Sequence, residues 1–411
     1  MSLLFFIFKL CWCFVEVIYL YCSIIFLFRF LPDLISTINF PILILTTNQD
    51  LKLINEASHF LNLPRWSRNY HQCYSKKNEI NCSQLIEAYR TIKEWSFNDF
   101  NRIPSEVVHI QPNNGFGNSL YTITAGISLA IFYNRTVHIQ ELIDGVDYHP
   151  SLKTQGDFKC NKFSHLTVQN QENLNRSFTN SHIKVSYCFP FFLLVDPDIS
   201  TFIYKHFGLH FIYFISNFAT PINFNIRNSI LKMIDSIPRS VKIIGVHIRS
   251  HKYKSDMFIT RESKVKNLVI PFLNNLLNHK NYLAVATDWI VYENIFKSLY
   301  KRNLIMANLQ RRPDGKKYDA AVDIELLMSC NKMIGTYRSS FSAIAGMRAM
   351  HRIYYVAMDN PSIFQFTNSQ VGVTSGIYES FADFTYYVNQ NLKLFDNNEN
   401  AIRNFFRNAV L

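Results

Sequence analysis

Several short segments of the sequence carry residue types that suit the binding of a phosphate group. The first is GFGN at positions 115–118, where glycine lets the backbone approach a ligand and a helix N-terminus can follow. It is not the dinucleotide fingerprint, because the position of the third glycine is Leu120. We expect Gly117 and Asn118 to approach an anion, while Asn118 also suits an ordinary helix N-cap.

The segment VKIIGVHIRS predicts a buried strand that ends with His247 and Arg249 on the same face. Ligands of open parallel sheets gather at the carboxyl ends of the strands, and the planar guanidinium of arginine suits a phosphate. A salt bridge between Arg249 and an acid of the same layer is the alternative. Asp288 closes the predicted strand YLAVATD, where it suits a sugar or nucleoside hydroxyl or an ion pair with Arg249.

Two polar clusters near the C-terminal third complete the candidate site. Ser339, Ser340 and Phe341 follow the predicted strand IGTYR and open a helix. Hydroxyl and backbone N–H groups at a helix start suit a diphosphate, although serine is also a common helix cap. Asp323 lies inside a mostly apolar helical pattern and needs a partner, for which a nucleoside and Arg338 are the candidates.

A competing signal is the pair Asp196 and Asp198 in FFLLVDPD. Two such carboxylates can hold Mn²⁺ or Mg²⁺ against a diphosphate, whereas the alternative is a turn that caps a helix. The segment therefore keeps a metal-dependent reaction open as a rival. The basic excess, 42 − 30 = +12, is scattered along the chain and predicts no nucleic-acid partner.

The predicted elements place these residues at the edges of two sheets. A strand at 107–112, a helix at 119–132 and a strand at 136–140 form the opening of a Rossmann-like unit, and a second unit begins at 241. An apolar content of 48% excludes wholesale disorder. We predict an α/β protein with a stem and lead-in at 36–100 and two Rossmann-like domains at 101–238 and 239–411.

The N-terminus predicts a membrane segment. Residues 10–28 contain one acid, Glu16, and approach the length of about 20 residues that a helix needs to span a bilayer. We assign residues 1–35 to an uncleaved signal anchor. A cleaved signal peptide and a buried core helix are the alternatives.

Taken in order, these segments resemble the GDP-fucose-dependent fucosyltransferases. GFGNSLYTITAGISLAIFYNRTVHI resembles the G-x-G-N-Q helix of the galactoside α-1,2 enzymes, and GVHIRSHKY resembles their H-x-R-R-G-D-Y loop. DIELLMSCN with IGTYRSSFSAIAGMRA is similar to their closing segments. VATD and SSF are also similar to the protein O-fucosyltransferases. The resemblance covers about 107–358 and is closest to the α-1,2 enzymes.

The resemblance implies a GT-B-like fold, in which two Rossmann-like domains face a cleft, and a metal-independent inverting displacement. GDP-fucose would be the co-substrate, with no cofactor, and a glycan or glycoprotein would be the acceptor. Arg249 would neutralise the β-phosphate, and Asn118 would approach the donor from the first domain. The residues that would line the donor pocket are His247, Asp323, Ser339, Ser340 and Phe341.

The chain departs from the family pattern in two places. Ser119 stands where the family has glutamine, and the second arginine and the aspartate of its loop are missing after Arg249, where the chain reads SHKY. The general base for the acceptor hydroxyl is therefore unassigned. Asp256 is our candidate, and His251 is the second choice.

These features together favour a fucosyltransferase held in the Golgi membrane as a single-pass type II protein. The alternative locations are the ER lumen and secretion after signal cleavage. The rival functions are a protein O-fucosyltransferase, a catalytically inactive nucleotide- or sugar-binding protein, and a metal-dependent glycosyltransferase.

Overall fold

The structure is a computed structural model. It describes residues 48–64, 79–99, 107–112, 115–154, 164–166, 182–186, 190, 193, 196–238, 240–249, 262–277, 281–306, 317–336, 339–351, 353–356 and 363–365. The predicted signal anchor at 1–35 lies outside these residues. Among the helices that the structure describes, none is both long and apolar enough to cross a membrane.

The first sheet contains five parallel strands in the order β3-β2-β1-β5-β4. Its strands are β1 (Val107–Gln111), β2 (Thr136–Ile139), β3 (Lys153–Thr154), β4 (Ser164–Leu166) and β5 (His182–Ser186). The connection between β1 and β2 is helix α3 (Phe116–Phe132), which packs on β1 through Val108 and Ile110. The order reverses between β1 and β5, so the carboxyl ends of these two strands form a switch point.

The second sheet has the strand order β8-β7-β6-β9-β10-β11, which corresponds to 3-2-1-4-5-6 within this half and is the order of a dinucleotide-binding sheet. Only the β10–β11 pairing is antiparallel among the described strands. The strands are β6 (Ile243–Ile248), β7 (Tyr282–Thr287), β8 (Leu304–Ile305), β9 (Lys332–Thr336), β10 (Ile353–Val356) and β11 (Ile363–Gln365).

The other helices surround these two sheets. They are α1 (Asn48–Phe60), α2 (Glu79–Asp99), α4 (Pro197–Phe207), α5 (Phe211–Ala219), α6 (Phe224–Asp235), α7 (Glu262–Lys264, π-helical Val265–Val269 and Ile270–Leu276), α8 (Ile290–Tyr300), α9 (Lys317–Met328) and α10 (Ser340–Ala349). α7 and α8 cover one face of the second sheet, and α9 and α10 cover the other. The region 36–100, predicted as a stem and lead-in, contributes α1 and α2 to the main apolar core.

One continuous apolar core joins the first sheet, α3, α5, α9 and α10. Both sheets belong to one compact unit of the chain. The prediction of an α/β protein with two Rossmann-like halves is therefore confirmed in its coarse form. The domain boundaries at 101–238 and 239–411 stay predictions.

A row of basic residues crosses the first sheet on the face opposite α3. The strand register pairs His109 with His138 on one side and with Lys184 on the other. In the strand register, Lys153 is paired with His138 and His165 is paired with Lys184. His109 and His138 are buried, their Nδ1 atoms lie 2.9 Å apart, and Nε2 of His109 lies 3.3 Å from Gln140 Oε1.

We expect this histidine pair to make the free energy of unfolding fall in acid. Burial lowers the pKa of His109, hydrogen bonding to Gln140 opposes this, and the charges of His138 and Lys184 lower it further. As the pH falls, His109 is protonated at a higher pH in the unfolded state than in the folded state. The contribution of His109 to the free energy of unfolding is therefore present above about pH 6.5 and is lost as the pH falls below that value. One such group changes the free energy of unfolding by at most about 1.4 kcal/mol per pH unit.

Urea unfolding at a series of pH values checks this expectation. The His109→Gln variant should show a shallower pH dependence than the wild type. The control is His59→Gln, since His59 is exposed at the end of α1. Equal slopes for the wild type and His109→Gln would show that the pair does not cause the effect.

Candidate anion-binding site

The candidate site lies at the switch point of the second sheet, between the carboxyl ends of the neighbouring strands β6 and β9. His247 is the second-last residue of β6, and Arg249 follows this strand directly. On the other side, Thr336 ends β9 and Ser339 precedes α10. The fold therefore brings together two segments that lie about 90 positions apart in the sequence.

Hydrogen bonds hold these two segments in a fixed relation. The imidazole of His247 is buried, and its Nδ1 lies 2.6 Å from Ser342 Oγ. The backbone N–H of Arg249 donates to Thr336 Oγ1 at 2.9 Å, and this hydroxyl donates to the His247 carbonyl at 3.1 Å. The His247 ring also contacts the Phe341 ring, with a centroid distance of 4.8 Å.

Ser339 occupies the N-cap position of α10 without acting as a cap. Its hydroxyl makes no hydrogen bond to the first turn of the helix. The residue is 1% exposed, and Ser339 Oγ has no hydrogen-bond partner among the described residues. A buried hydroxyl without a partner is costly, so a ligand that accepts its hydrogen bond would remove this cost. This geometry favours the ligand over the simple cap.

The start of α3 lies directly against the start of α10. A Cβ atom added to Gly117 would lie 2.8 Å from Phe341 N and 2.9 Å from Ser340 C, so only glycine fits there. The rings of Phe116 and Phe341 also face each other across this contact, with centroids 6.4 Å apart. Two helix N-termini, each with partial positive charge and N–H groups without intrahelical partners, therefore meet at this point.

This arrangement suits an anion with two or more charged oxygens. Helix N-termini bind phosphate through backbone N–H groups, and Ser339 adds a hydroxyl. Arg249 is a half-buried residue next to Thr336, and its guanidinium group suits a phosphate. The site can therefore bind a diphosphate and stabilise negative charge that develops on it.

The other predicted residues are more scattered. Asn118 lies in the first turn of α3 and is partly exposed. Gly115 occupies the N-cap position of this helix, so the alternative that Asn118 is the N-cap is wrong. Asp288 is exposed and follows β7, next to Arg249 in the strand register. Asp323 is partly exposed on α9, which packs on α10. Asp256, His251 and Arg338 lie outside the described residues.

Asp196 acts as a helix cap in the structure. Its Oδ1 accepts hydrogen bonds from the backbone N–H groups of Asp198 and Ile199, at 2.9 and 3.0 Å. Pro197 occupies the first position of α4, as expected for a helix start. This supports the capping alternative for the segment. Within the described part of the chain, no group of three or more His, Cys, Asp or Glu side chains could hold a metal ion.

Sequence reasoning missed Thr336, Ser342 and Phe116. Thr336 and Ser342 are fully buried and hold the end of β6, and Phe116 begins α3 at the contact with α10. The sequence feature that could have indicated Thr336 is a threonine at the last position of a buried strand. Its bonding partners depend on which strand lies next to β9, which the sequence does not state.

The fold is shared with solved structures of other proteins. A mutant of Arabidopsis thaliana FUT1 in complex with GDP matches with a TM-score of 0.53 and 11% identity, over 69% of this chain and 82% of that chain. At 11% identity, this match shows a shared fold. This agrees with the resemblance of the sequence blocks, and the α-1,2 linkage lies beyond what a shared fold shows.

Weaker matches concern two other fucosyltransferases. NodZ from Bradyrhizobium matches with a TM-score of 0.43 and 16% identity, over 65% of this chain and 100% of that chain. POFUT1 in complex with GDP-fucose matches with a TM-score of 0.39 and 9% identity, over 61% of this chain and 96% of that chain. No protein-family model and no curated protein matches the sequence.

The close contact at Gly117 can be tested by a substitution. In Gly117→Ala, the new methyl group meets the backbone of α10, so the two helix starts must separate. We expect a lower midpoint of thermal unfolding, measured by scanning calorimetry.

Gly115→Ala is the matched control for this change. A Cβ at Gly115 meets nothing within 4 Å, and its φ of −60° suits alanine. Gly115→Ala should therefore lower the unfolding midpoint much less than Gly117→Ala. Equal behaviour of the two variants would contradict the close approach of the helix starts.

Proposed function

We propose that the protein transfers L-fucose from GDP-fucose to a hydroxyl group of a glycan, with O-2 of a galactoside as the acceptor atom. The observation that carries the proposal is the meeting of α3 and α10 beside the buried Ser339 hydroxyl, which has no hydrogen-bond partner among the residues that the structure describes. When fucose is transferred, GDP is released, and its diphosphate carries the negative charge. This site has hydrogen-bond donors that suit a diphosphate. The shared fold and the sequence blocks supply the fucose part of the proposal.

The reaction is an inverting displacement at the anomeric carbon. The acceptor oxygen forms the new bond as the bond from the anomeric carbon to the β-phosphate oxygen breaks. Arg249 and the helix N-termini stabilise the negative charge on the departing GDP. A general base takes the proton of the acceptor hydroxyl. Asp256 is the proposed base and His251 is the second choice, and both lie outside the described residues.

The remaining donor contacts follow from the positions of the polar residues. Asp288 lies at the end of the strand next to β6, where Rossmann-like sheets bind the ribose of a nucleotide. Asp323, His247 and Phe341 line the second half of the pocket in this proposal, and Asn118 approaches from the first half. No metal takes part in the proposed reaction. We place the enzyme in the Golgi membrane as a type II protein, anchored by residues 1–35.

A donor and acceptor screen tests the proposal. The full-length protein in detergent is incubated with GDP-fucose, GDP-mannose or UDP-galactose, and both transfer and hydrolysis are measured. We expect turnover of GDP-fucose with lactose as acceptor and no loss of activity in EDTA. Transfer to a folded cysteine-rich domain instead of lactose would identify a protein O-fucosyltransferase. GDP binding without any turnover would identify a catalytically inactive binding protein.

A further inference from the structure

Thr336 connects the end of β6 with the start of α10 through four hydrogen bonds. Its hydroxyl accepts from the Arg249 N–H at 2.9 Å and donates to the His247 carbonyl at 3.1 Å. Its own N–H donates to Ser342 Oγ at 3.1 Å, and its carbonyl accepts from the Ser339 N–H at 3.1 Å. The side chain is 0% exposed, so these bonds are protected from water.

The Thr336 hydroxyl extends the pairing of β6 and β9 beyond their backbone ladder. The last registered residue pair of the two strands is Val246 with Ile334. Further along, the hydroxyl of Thr336 bonds the backbone of both His247 and Arg249, as a neighbouring strand would. A side chain therefore determines where the backbone of Arg249 lies relative to the start of α10.

We propose that Thr336 is a positioning residue that fixes Arg249 and Ser339 at the spacing that a diphosphate requires. The inference rests on the proposed function, since GDP is the ligand. In this proposal, Thr336 contacts neither the ligand nor the reacting atoms. Its hydroxyl is already hydrogen-bonded to the Arg249 N–H and the His247 carbonyl at the end of β6. It acts through Arg249 on one side and through Ser339 on the other.

Ser342 supports the same arrangement from the first turn of α10. Its hydroxyl accepts from the Thr336 N–H and lies 2.6 Å from Nδ1 of His247. The imidazole, which packs against the Phe341 ring, is thereby held in one orientation. Thr336 and Ser342 thus fix both residues that β6 contributes to the site.

A pair of Thr336 variants separates positioning from simple core packing. Thr336→Val keeps the shape of the side chain but leaves the Arg249 N–H and the His247 carbonyl without this partner, whereas Thr336→Ser keeps the hydroxyl. The matched control is Thr124→Val in α3, because Thr124 is also fully buried and its hydroxyl donates to the Leu120 carbonyl within its own helix.

The measurement is the Kd for GDP by isothermal titration calorimetry, at a temperature at which every variant is folded. We expect Thr336→Val to weaken GDP binding about tenfold or more, Thr336→Ser to restore it, and Thr124→Val to leave it unchanged. If Thr336 only stabilised the core, Thr336→Val would lower the unfolding temperature and keep the affinity for GDP.

Each outcome decides between the two proposals. Unchanged GDP affinity in Thr336→Val overturns the positioning role and leaves the proposed function intact. Absence of GDP binding in the wild type overturns both. If Thr336→Val does not fold, Ser342→Ala decides instead, because it removes the acceptor of the Thr336 N–H; unchanged affinity in that variant overturns the inference.

Discussion

Replacing Arg249 with alanine should lower kcat for fucose transfer by about 100-fold or more, which is the effect of losing a donor that stabilises transition-state charge. Arg249 follows β6 at the switch point, and Thr336 links its backbone to Ser339 at the start of α10. The helix N-termini remain in the variant, so GDP binding should weaken less than turnover. Steady-state kinetics with GDP-fucose and lactose measures both quantities.

The control for this prediction is Arg302→Ala. Arg302 is exposed in the turn between α8 and β8, away from the ends of β6 and β9. The control should keep the kcat of the wild type. A kcat near that of the wild type in Arg249→Ala would refute the catalytic role of this guanidinium.

Glu325→Ala should lower the free energy of unfolding by about 3–5 kcal/mol, because it removes one partner of a buried ionic network. Glu325 lies on α9 and is fully buried, with Oε1 3.4 Å from Nε of Arg227 on α6. Burial raises the pKa of Glu325, and the charges of Arg227 and Arg348 oppose this shift. Removing the carboxylate leaves these arginine charges uncompensated inside the protein.

Arg348 makes the network a bridge between the two halves of the chain. This guanidinium is fully buried at the end of α10, and it donates to Ser216 Oγ, Thr220 Oγ1 and the Thr220 carbonyl at 2.8–3.0 Å. It thereby satisfies groups at the C-terminal end of α5. Burial lowers the pKa of Arg348, and the Glu325 carboxylate opposes this. Loss of Glu325 therefore destabilises the contact of α10 with α5.

Urea unfolding with the exposed pair as control tests this prediction. Glu56→Ala removes one partner of the surface pair Lys52–Glu56 on α1, whose side chains are 78% and 46% exposed, and should cost about 0.3–0.5 kcal/mol. The double variant Glu325→Leu with Arg227→Met should regain part of the lost stability, because it removes both partners of the ion pair. A loss in Glu325→Ala as small as in Glu56→Ala would show that the network contributes little.

The sequence predicts the elements well where a segment is apolar and bounded by polar residues. The strands that lead to Arg249, Asp288 and Ser339 are where the pattern places them, because parallel strands buried on both faces read as apolar runs. The helix after the glycine turn begins at Phe116 instead of 119. Phe116 packs against Phe341 across the two halves, and no local pattern shows such a contact.

The sequence could not show which residues hold the site together. Thr336 bonds the backbone of Arg249 only because β9 lies next to β6, an order set by the folding of the whole sheet. Gly117 looks like a residue that admits a ligand, whereas the structure shows that it admits the backbone of α10. Glu325 lies in a mostly apolar helical run, and its arginine partners come from α6 and α10.

The proposed function requires the diphosphate of GDP to bind where the starts of α3 and α10 meet. A crystal structure of the protein with GDP tests this most directly. We expect phosphate oxygens within hydrogen-bonding distance of Ser339 Oγ and the first N–H groups of α10, with the Arg249 guanidinium on the β-phosphate. GDP bound elsewhere, with Ser339 and Arg249 both away from its phosphates, would contradict it.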